Sequence, residues 1–225
     1  MRLVSFGPRG SELPGVLVHD SVLPLGRVLT DVGLPSAGGL RGVLPFLELL
    51  AEGIDSALAS AVVIGKGGRR IPAERADEHI AGYLIANDVT ARDLGEGESK
   101  TLNMAPLFQL TRLKGWDTFL PTGPWLVTVD EIGSYADIRI QTWVNDEPRQ
   151  DSYAKEMAKS PQQLIEWLSA TTTLQPGDII TTGTPPGVAA GMATPNWLTA
   201  GDVVRIEMTG LGRMRTTVLN ESAGQ

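Results

Sequence analysis

The chain has no cysteine, so a disulfide framework and thiolate-held metals are excluded. That absence suits a cytoplasmic protein. There is no basic excess either: the formal net charge is -7, which argues against a nucleic-acid partner. No apolar run is long enough to span a membrane, so none is expected as a partner. The opening stretch MRLVSFGPRG has no long apolar region, so no signal peptide is expected. Internal repeats, linkers and low-complexity segments are missing as well. What is present is glycine and proline, 26 and 15 residues spread along the chain, which points to short strands and turns and away from a helical bundle. The 225 residues, 42% of them apolar, are enough for one domain with a real core.

The local patterns give a β-rich α+β domain with a few short helices. Strands are expected over 2–6, 56–64, 125–129 and 138–144, with closing strands over 179–182, 203–208 and 214–219. A hairpin spans 15–25 and turns near Asp20 and Ser21, and a second turns at Asn145 and Asp146. Over 40–52, Leu40, Val43, Leu44, Leu47 and Leu50 share one helical face and Gly53 ends it, although Pro45 lies inside the pattern. Pro72 introduces a short helix over 73–80. Another, over 161–168, has Ser160 as N-cap and Pro161 in its first turn. Residues 96–113 carry no readable pattern.

The run GYLIANDVTARD at 82–93 is where chemistry is concentrated. Tyr83 to Ala86 suit a buried strand, after which Asn87, Asp88, Thr90, Arg92 and Asp93 crowd together. A carboxylate, a guanidinium and a hydroxyl at a strand end can build a small-molecule site. The same residues can also be a surface turn with Arg92 paired to Asp93 or Asp88.

This run resembles the signature of the fumarylacetoacetate hydrolase family, in particular its 2-hydroxyhepta-2,4-diene-1,7-dioate isomerase-like members. Further matching segments follow the family order: AVVIGK at 61–66, KGWDTFLPTGP at 114–124, VNDEPRQ at 144–150, LQPGDIITTGTPPGV at 174–188 and GDVV at 201–204. The resemblance runs from about residue 57 to the C-terminus. It implies a β-roll carrying a small N-terminal subdomain over 1–52, a catalytic-fold domain over 53–225, and a homodimer. It also implies site roles for Asp88, Arg92, Lys114 and Thr184 as catalytic groups, and for Gln150, Gly183, Thr184 and Pro185 around the substrate.

The chain departs from the family at two places. Family members hold a divalent cation, usually Mg²⁺, with a Glu-x-Glu pair and the signature Asp; the cation binds a 2-oxo acid or 1,3-dicarbonyl and stabilises its enolate. Here Asp88 remains, but the Glu positions are Ala57 and Ala59, on one strand face. Asp55 shares that face but lies roughly 7 Å further along, too far to serve as a replacement without a bulge. The family's Tyr-x-x-His-x-x-Glu-like lid is absent too. The chain's two histidines, His19 and His79, lie in no such segment, and His79 reads as a helix-surface or capping residue.

The expected reading is a metal-independent enzyme with no cofactor. It would isomerise, rearrange or cyclise, pericyclic ring closure included, a bulky hydrophobic polyketide-like substrate. The expected cavity is walled by Ala57, Ala59, Ile85 and the loop over 183–187, with Asp88, Arg92 and Lys114 on its rim. Lys114 or Arg92 would neutralise Asp88. Two alternatives stand beside it. One is a conventional enzyme with Mg²⁺ at Asp88, acting as hydrolase, decarboxylase or isomerase on a small oxo acid. The other is a non-catalytic binding partner.

Overall fold

The structure is a computed structural model, which describes residues 2–6, 13–18, 21–24, 46–49, 54–92 and 113–220. Its backbone centres on strand β5 (Ile54–Ile64) paired antiparallel with strand β6 (Ile80–Ala91). Val62, Val63, Ile64, Ile85 and Val89 supply the β-branched surface that packs well on a pleat, and neither strand contains proline. Strand β10 (Ile179–Thr181) extends the sheet beyond β5, and β7 (Thr122–Thr128) extends it beyond β6. Strands β1 (Arg2–Phe6), β2 (Leu13–Val18) and β3 (Ser21–Pro24) complete a seven-stranded sheet in the order β10-β5-β6-β7-β1-β2-β3.

A second, five-stranded sheet follows the order β4-β12-β11-β8-β9. Its members are β4 (Phe46–Leu49), β8 (Arg139–Val144), β9 (Glu147–Tyr153), β11 (Val203–Met208) and β12 (Gly212–Asn220). Asn145 takes a φ of 55° in the turn between β8 and β9, a conformation asparagine tolerates well. The main core joins the two sheets. Val62, Ile64, Tyr83, Ile85, Val89 and Val127 meet Ile140, Val204, Ile206, Met208, Met214 and Val218. Burying each such aliphatic side chain contributes about 1.5–3 kcal/mol. The opposite face of the first sheet carries a smaller apolar cluster of Ala61, Val63, Leu84, Ala86 and Leu126.

Helix α1 (Pro161–Ser169) starts as the sequence predicts. Ser160 accepts from Gln163 N and the Gln163 side chain returns a bond to Ser160 N, a reciprocal capping box. The 3-10 turn at Ala73–His79 packs on it, tied by Gln162 to Asp77 and by the Glu166 carboxylate to Ala73 N.

Two local expectations are corrected. The helix expected over 40–52 gives way, in its described part, to β4, which pairs parallel with β12; the rest lies outside the described residues. Pro45 interrupts the helical pattern, and a short apolar run cannot be told from a strand by periodicity alone. His79 is buried at the end of its 3-10 turn, with Nδ1 2.7 Å from the Lys66 carbonyl oxygen, and is not a surface residue.

Candidate active site

Strand β6 does not stop where the polar residues begin; it runs on to Ala91. Alternation therefore sorts those residues by face. Asn87 and Val89 turn with Ile85 toward the main core, where the Ser56 hydroxyl donates to Asn87 Oδ1 at 2.7 Å. Asp88 and Thr90 turn with Ala86 to the other face. Across the ladder Asp88 stands opposite Ala57, Ala86 opposite Ala59, and Thr90 opposite Asp55.

Lys114, just before the turn that leads into β7, reaches back over this face. Its Nζ lies 2.7 Å from Asp88 Oδ2 and donates to Thr90 Oγ1 at 2.9 Å. The pair is partly open: the side chains of Lys114 and Asp88 are 31% and 25% exposed. Of the two expected partners for Asp88, the structure selects Lys114.

Arg92 turns elsewhere. Its Nε lies 3.5 Å from Oδ2 of Asp55, whose side chain is only 2% exposed. Asp55 also accepts from Ala189 N at 2.9 Å and from Ala190 N at 3.2 Å. Arg92 and Asp55 thus clamp the end of the β5–β6 pair to the 3-10 turn at Ala189–Gly191. Arg92 thus pairs with Asp55 and not with Asp88, and Asp55 has both oxygens engaged.

The loop leaving β10 runs along the edge of β5. It starts at Thr182, whose N–H bonds the Ser60 carbonyl, and reaches the Asp55 clamp at Ala189. Gln150, buried in β9, holds it by donating from Nε2 to Thr184 Oγ1 at 2.8 Å and to the Pro185 carbonyl at 2.7 Å. Thr182, Gly183, Thr184 and Pro185 line a cavity of about 450 Å³ together with Tyr153 and Met157. Ala57 and Ala59 do not wall it; they are 4% and 1% exposed. Ile85 cannot share a wall with them, because it pairs with Ser60 on the opposite face. Strand parity divides the cavity expected from sequence into the loop cavity and the Asp88–Lys114 face. About two strand spacings, roughly 10 Å, separate the track of the loop from Asp88.

A half-buried hydroxyl cluster borders the loop cavity, and sequence reasoning missed it. Thr182 Oγ1 lies 2.7 Å from Ser60 Oγ, which forms a short hydrogen bond with the Tyr135 hydroxyl; that hydroxyl reaches Met157 Sδ at 3.2 Å. Tyr135 stacks on Tyr83 at 4.7 Å. Burial pushes the Tyr135 hydroxyl up, against the opposing bonds from Ser60 and Thr182. The available signal was a serine at position 60 within the apolar run over 57–64.

Does this donor set suit the divalent cation of the resembled family? Mg²⁺ takes an octahedron of oxygens. Asp88 offers one carboxylate, already ion-paired; its cross-strand and flanking neighbours are Ala57, Ala59 and Ala86, with Thr90, whose hydroxyl Lys114 already engages. Among the described residues, no group of three or more His, Cys, Asp or Glu could hold an ion. The described residues do not fit the cation.

Comparison with known proteins places the chain. Residues 38–219 match the family model described as fumarylacetoacetate (FAA) hydrolase C-terminal. The chain belongs to this family. The match begins upstream of the motifs that carry the resemblance, and so takes in β4. Among similar curated proteins, the mitochondrial oxaloacetate tautomerase FAHD2A of Bos taurus is 41% identical over 162 residues, which is 72% of this chain and 49% of that protein. Oxaloacetate tautomerase YisK of Bacillus subtilis is 41% identical over 158 residues, 70% of this chain and 50% of that one. The chain thus spans about half the length of these two relatives. A crystal structure of a probable 2-hydroxyhepta-2,4-diene-1,7-dioate isomerase from Mycobacterium abscessus superposes with a TM-score of 0.71 at 37% identity, covering 79% of this chain and 66% of that one. No helix among the described residues is long and apolar enough to cross a membrane.

Proposed function

We propose that this chain is an isomerase that moves a proton between carbon and oxygen of a carbonyl-bearing organic acid, with Asp88 and Lys114 as its working pair. The observation that carries the reading is the ion pair itself: a carboxylate and an ammonium 2.7 Å apart, partly exposed, on a strand face where Asp88 stands opposite Ala57. A partly exposed ion pair contributes little to stability, so stability alone is a weak reason for it. Chemically it joins a base to a hydrogen-bond donor, which is what keto–enol exchange needs.

The proton balance is simple. The Asp88 carboxylate takes a proton from the carbon next to the carbonyl as the Lys114 ammonium hydrogen-bonds the carbonyl oxygen and stabilises its developing negative charge. The ammonium then gives its proton to that oxygen and recovers one from Asp88. One C–H bond breaks and one O–H bond forms, with no oxidant, reductant or water consumed. Thr90 aims the ammonium.

The isomerase and tautomerase names of the relatives support this class of reaction on small oxo acids. None of those relatives is named for a polyketide-like substrate, and ring formation has no counterpart among their names, so proton-shifting isomerisation is preferred over cyclisation. The test follows enol–keto exchange of oxaloacetate and other 2-oxo acids by ultraviolet absorbance. Asp88→Asn and Lys114→Met are each expected to lower kcat/KM by about 100-fold or more. Variants as active as the parent would overturn the assignment, and a parent that accelerates no oxo acid would favour a non-catalytic partner.

A further inference from the structure

We infer that the Lys114 ammonium occupies, at Asp88, the role that a divalent cation plays in the wider family, so that this site takes an anionic oxygen directly and binds no divalent ion. The oxo-acid identity of that ligand rests on the isomerase reading; the loss of the cation rests on geometry alone.

Three observations converge. The first is the ladder register. Ala57 lies directly opposite Asp88, and Ala59 follows one step along the same face, where it pairs with Ala86. Apart from the Thr90 hydroxyl, which Lys114 engages, the described side chains beside Asp88 on this face therefore end in methyl groups. The second is Asp55, the remaining carboxylate on that face of β5. It is buried, each of its oxygens accepts a backbone N–H, and Arg92 closes on it. Recruiting it to an ion would break the clamp that holds the Ala189–Gly191 turn. The third is the ammonium. Lysine has three donors. Asp88 and Thr90 take two of them, and with the side chain 31% exposed the third is open to an incoming oxygen.

Charge favours the same conclusion. Asp88 and Lys114 together are neutral, and an arriving Mg²⁺ would gain one shared carboxylate while facing the ammonium across it. A singly charged enolate or carboxylate oxygen faces the Asp88 charge in the same way, but it meets an open donor on the ammonium. The ligand class is thus an anionic oxygen acid without a metal bridge. What the ammonium cannot do is chelate. It offers a point charge, where a cation would grip two oxygens at once, so orientation must come from walls and other donors.

The experiment uses the full chain and Mn²⁺ as the probe, titrated by calorimetry and by the loss of the free-ion spin-resonance signal. The parent is expected to show no saturable Mn²⁺ binding below the millimolar range. The Ala57→Glu/Ala59→Glu double variant is expected to gain binding by at least about 100-fold, since it restores a three-carboxylate oxygen set. Micromolar Mn²⁺ binding by the parent that disappears in Asp88→Asn would overturn the inference. So would a folded double variant that gains nothing, because the two alanines would then not be what excludes the ion. If the double variant fails to fold, the parent and Asp88→Asn titrations still decide. A parent that binds no ion yet accelerates no oxo acid leaves this inference standing and removes the isomerase reading.

Discussion

The clamp at Asp55 makes the most quantitative prediction. Asp55→Ala removes a carboxylate that is 2% exposed, strands two donors, Ala189 N at 2.9 Å and Ala190 N at 3.2 Å, and takes away the charge partner 3.5 Å from Arg92 Nε. Orphaning a buried amide costs about 1–3 kcal/mol. Breaking a fully buried ion pair costs about 3–5 kcal/mol, because the survivor is left charged and unpaired. Here the survivor, Arg92, is 35% exposed, so water recovers much of its loss and the pair term falls toward the surface value of about 1 kcal/mol or less. With the amides partly resolvated as the turn relaxes, the total is about 3 kcal/mol. For a domain of this size that lowers Tm by roughly 6–12 °C. Urea unfolding in the presence of a chelator measures it directly. Arg92→Met should cost about 1 kcal/mol, and the double variant should cost less than the sum, because both remove the same ion pair. A loss below about 1 kcal/mol for Asp55→Ala would refute the clamp. A loss that appears only when divalent ions are present would make Asp55 a metal ligand, and would undo the cation inference with it.

Two further outcomes follow from the loop and its surroundings. Gly187 has a φ of 114°, and a Cβ there would sit 1.9 Å from the Arg149 carbonyl oxygen, so Gly187→Ala should cost on the order of 3 kcal/mol and loosen the loop, seen as faster amide exchange around 182–188. Burial pushes the Asp202 carboxyl up, but bonds from Asn145 and Thr199 and the Arg149 charge outweigh it and leave its pKa lowered. A lowered folded-state pKa gives stability that is present above the unfolded value and lost as pH falls through the folded one; Asp202→Asn should therefore destabilise at neutral pH, with the difference from the parent shrinking below about pH 4, and a constant difference across that range would disprove the linkage.

Much of the fold was legible because its signals are local. Ser160 and Pro161 mark a helix start through backbone groups within one turn, and Asn145 marks a hairpin through its own φ. The strands at 56–64, 138–144 and 203–208 announce themselves by composition and alternation, and β5, β8 and β11 fall there within two residues at either end. The segment at 46–49 was misread because its structure is not local. FLEL becomes a strand by joining β12, whose sequence lies more than a hundred and sixty residues away. No periodicity within four residues can reveal such a partner.

The arrangement of the candidate site was legible only in part. Asp88, Lys114, Thr184 and Gln150 were named from sequence; Lys114 was one of two partners expected for Asp88 and is the one the structure pairs with it, whereas the contact of Gln150 with Thr184 was not anticipated. The error came from treating GYLIANDVTARD as a strand that ends at its first polar residue. Once β6 is continued to Ala91, parity alone moves Ile85 to the core face and Asp88 to the other, and a single apolar cavity touching both becomes impossible. Parity also explains how two alanines can change the chemistry. They lie two residues apart on the face of Asp88, so both substitutions remove oxygen from the same place, and the ammonium of Lys114, anchored by Thr90 on that same face, is the charge left to answer the carboxylate. Had the substitutions fallen at positions of opposite parity, one carboxylate would have remained beside Asp88, and the donor set would still have resembled a cation site.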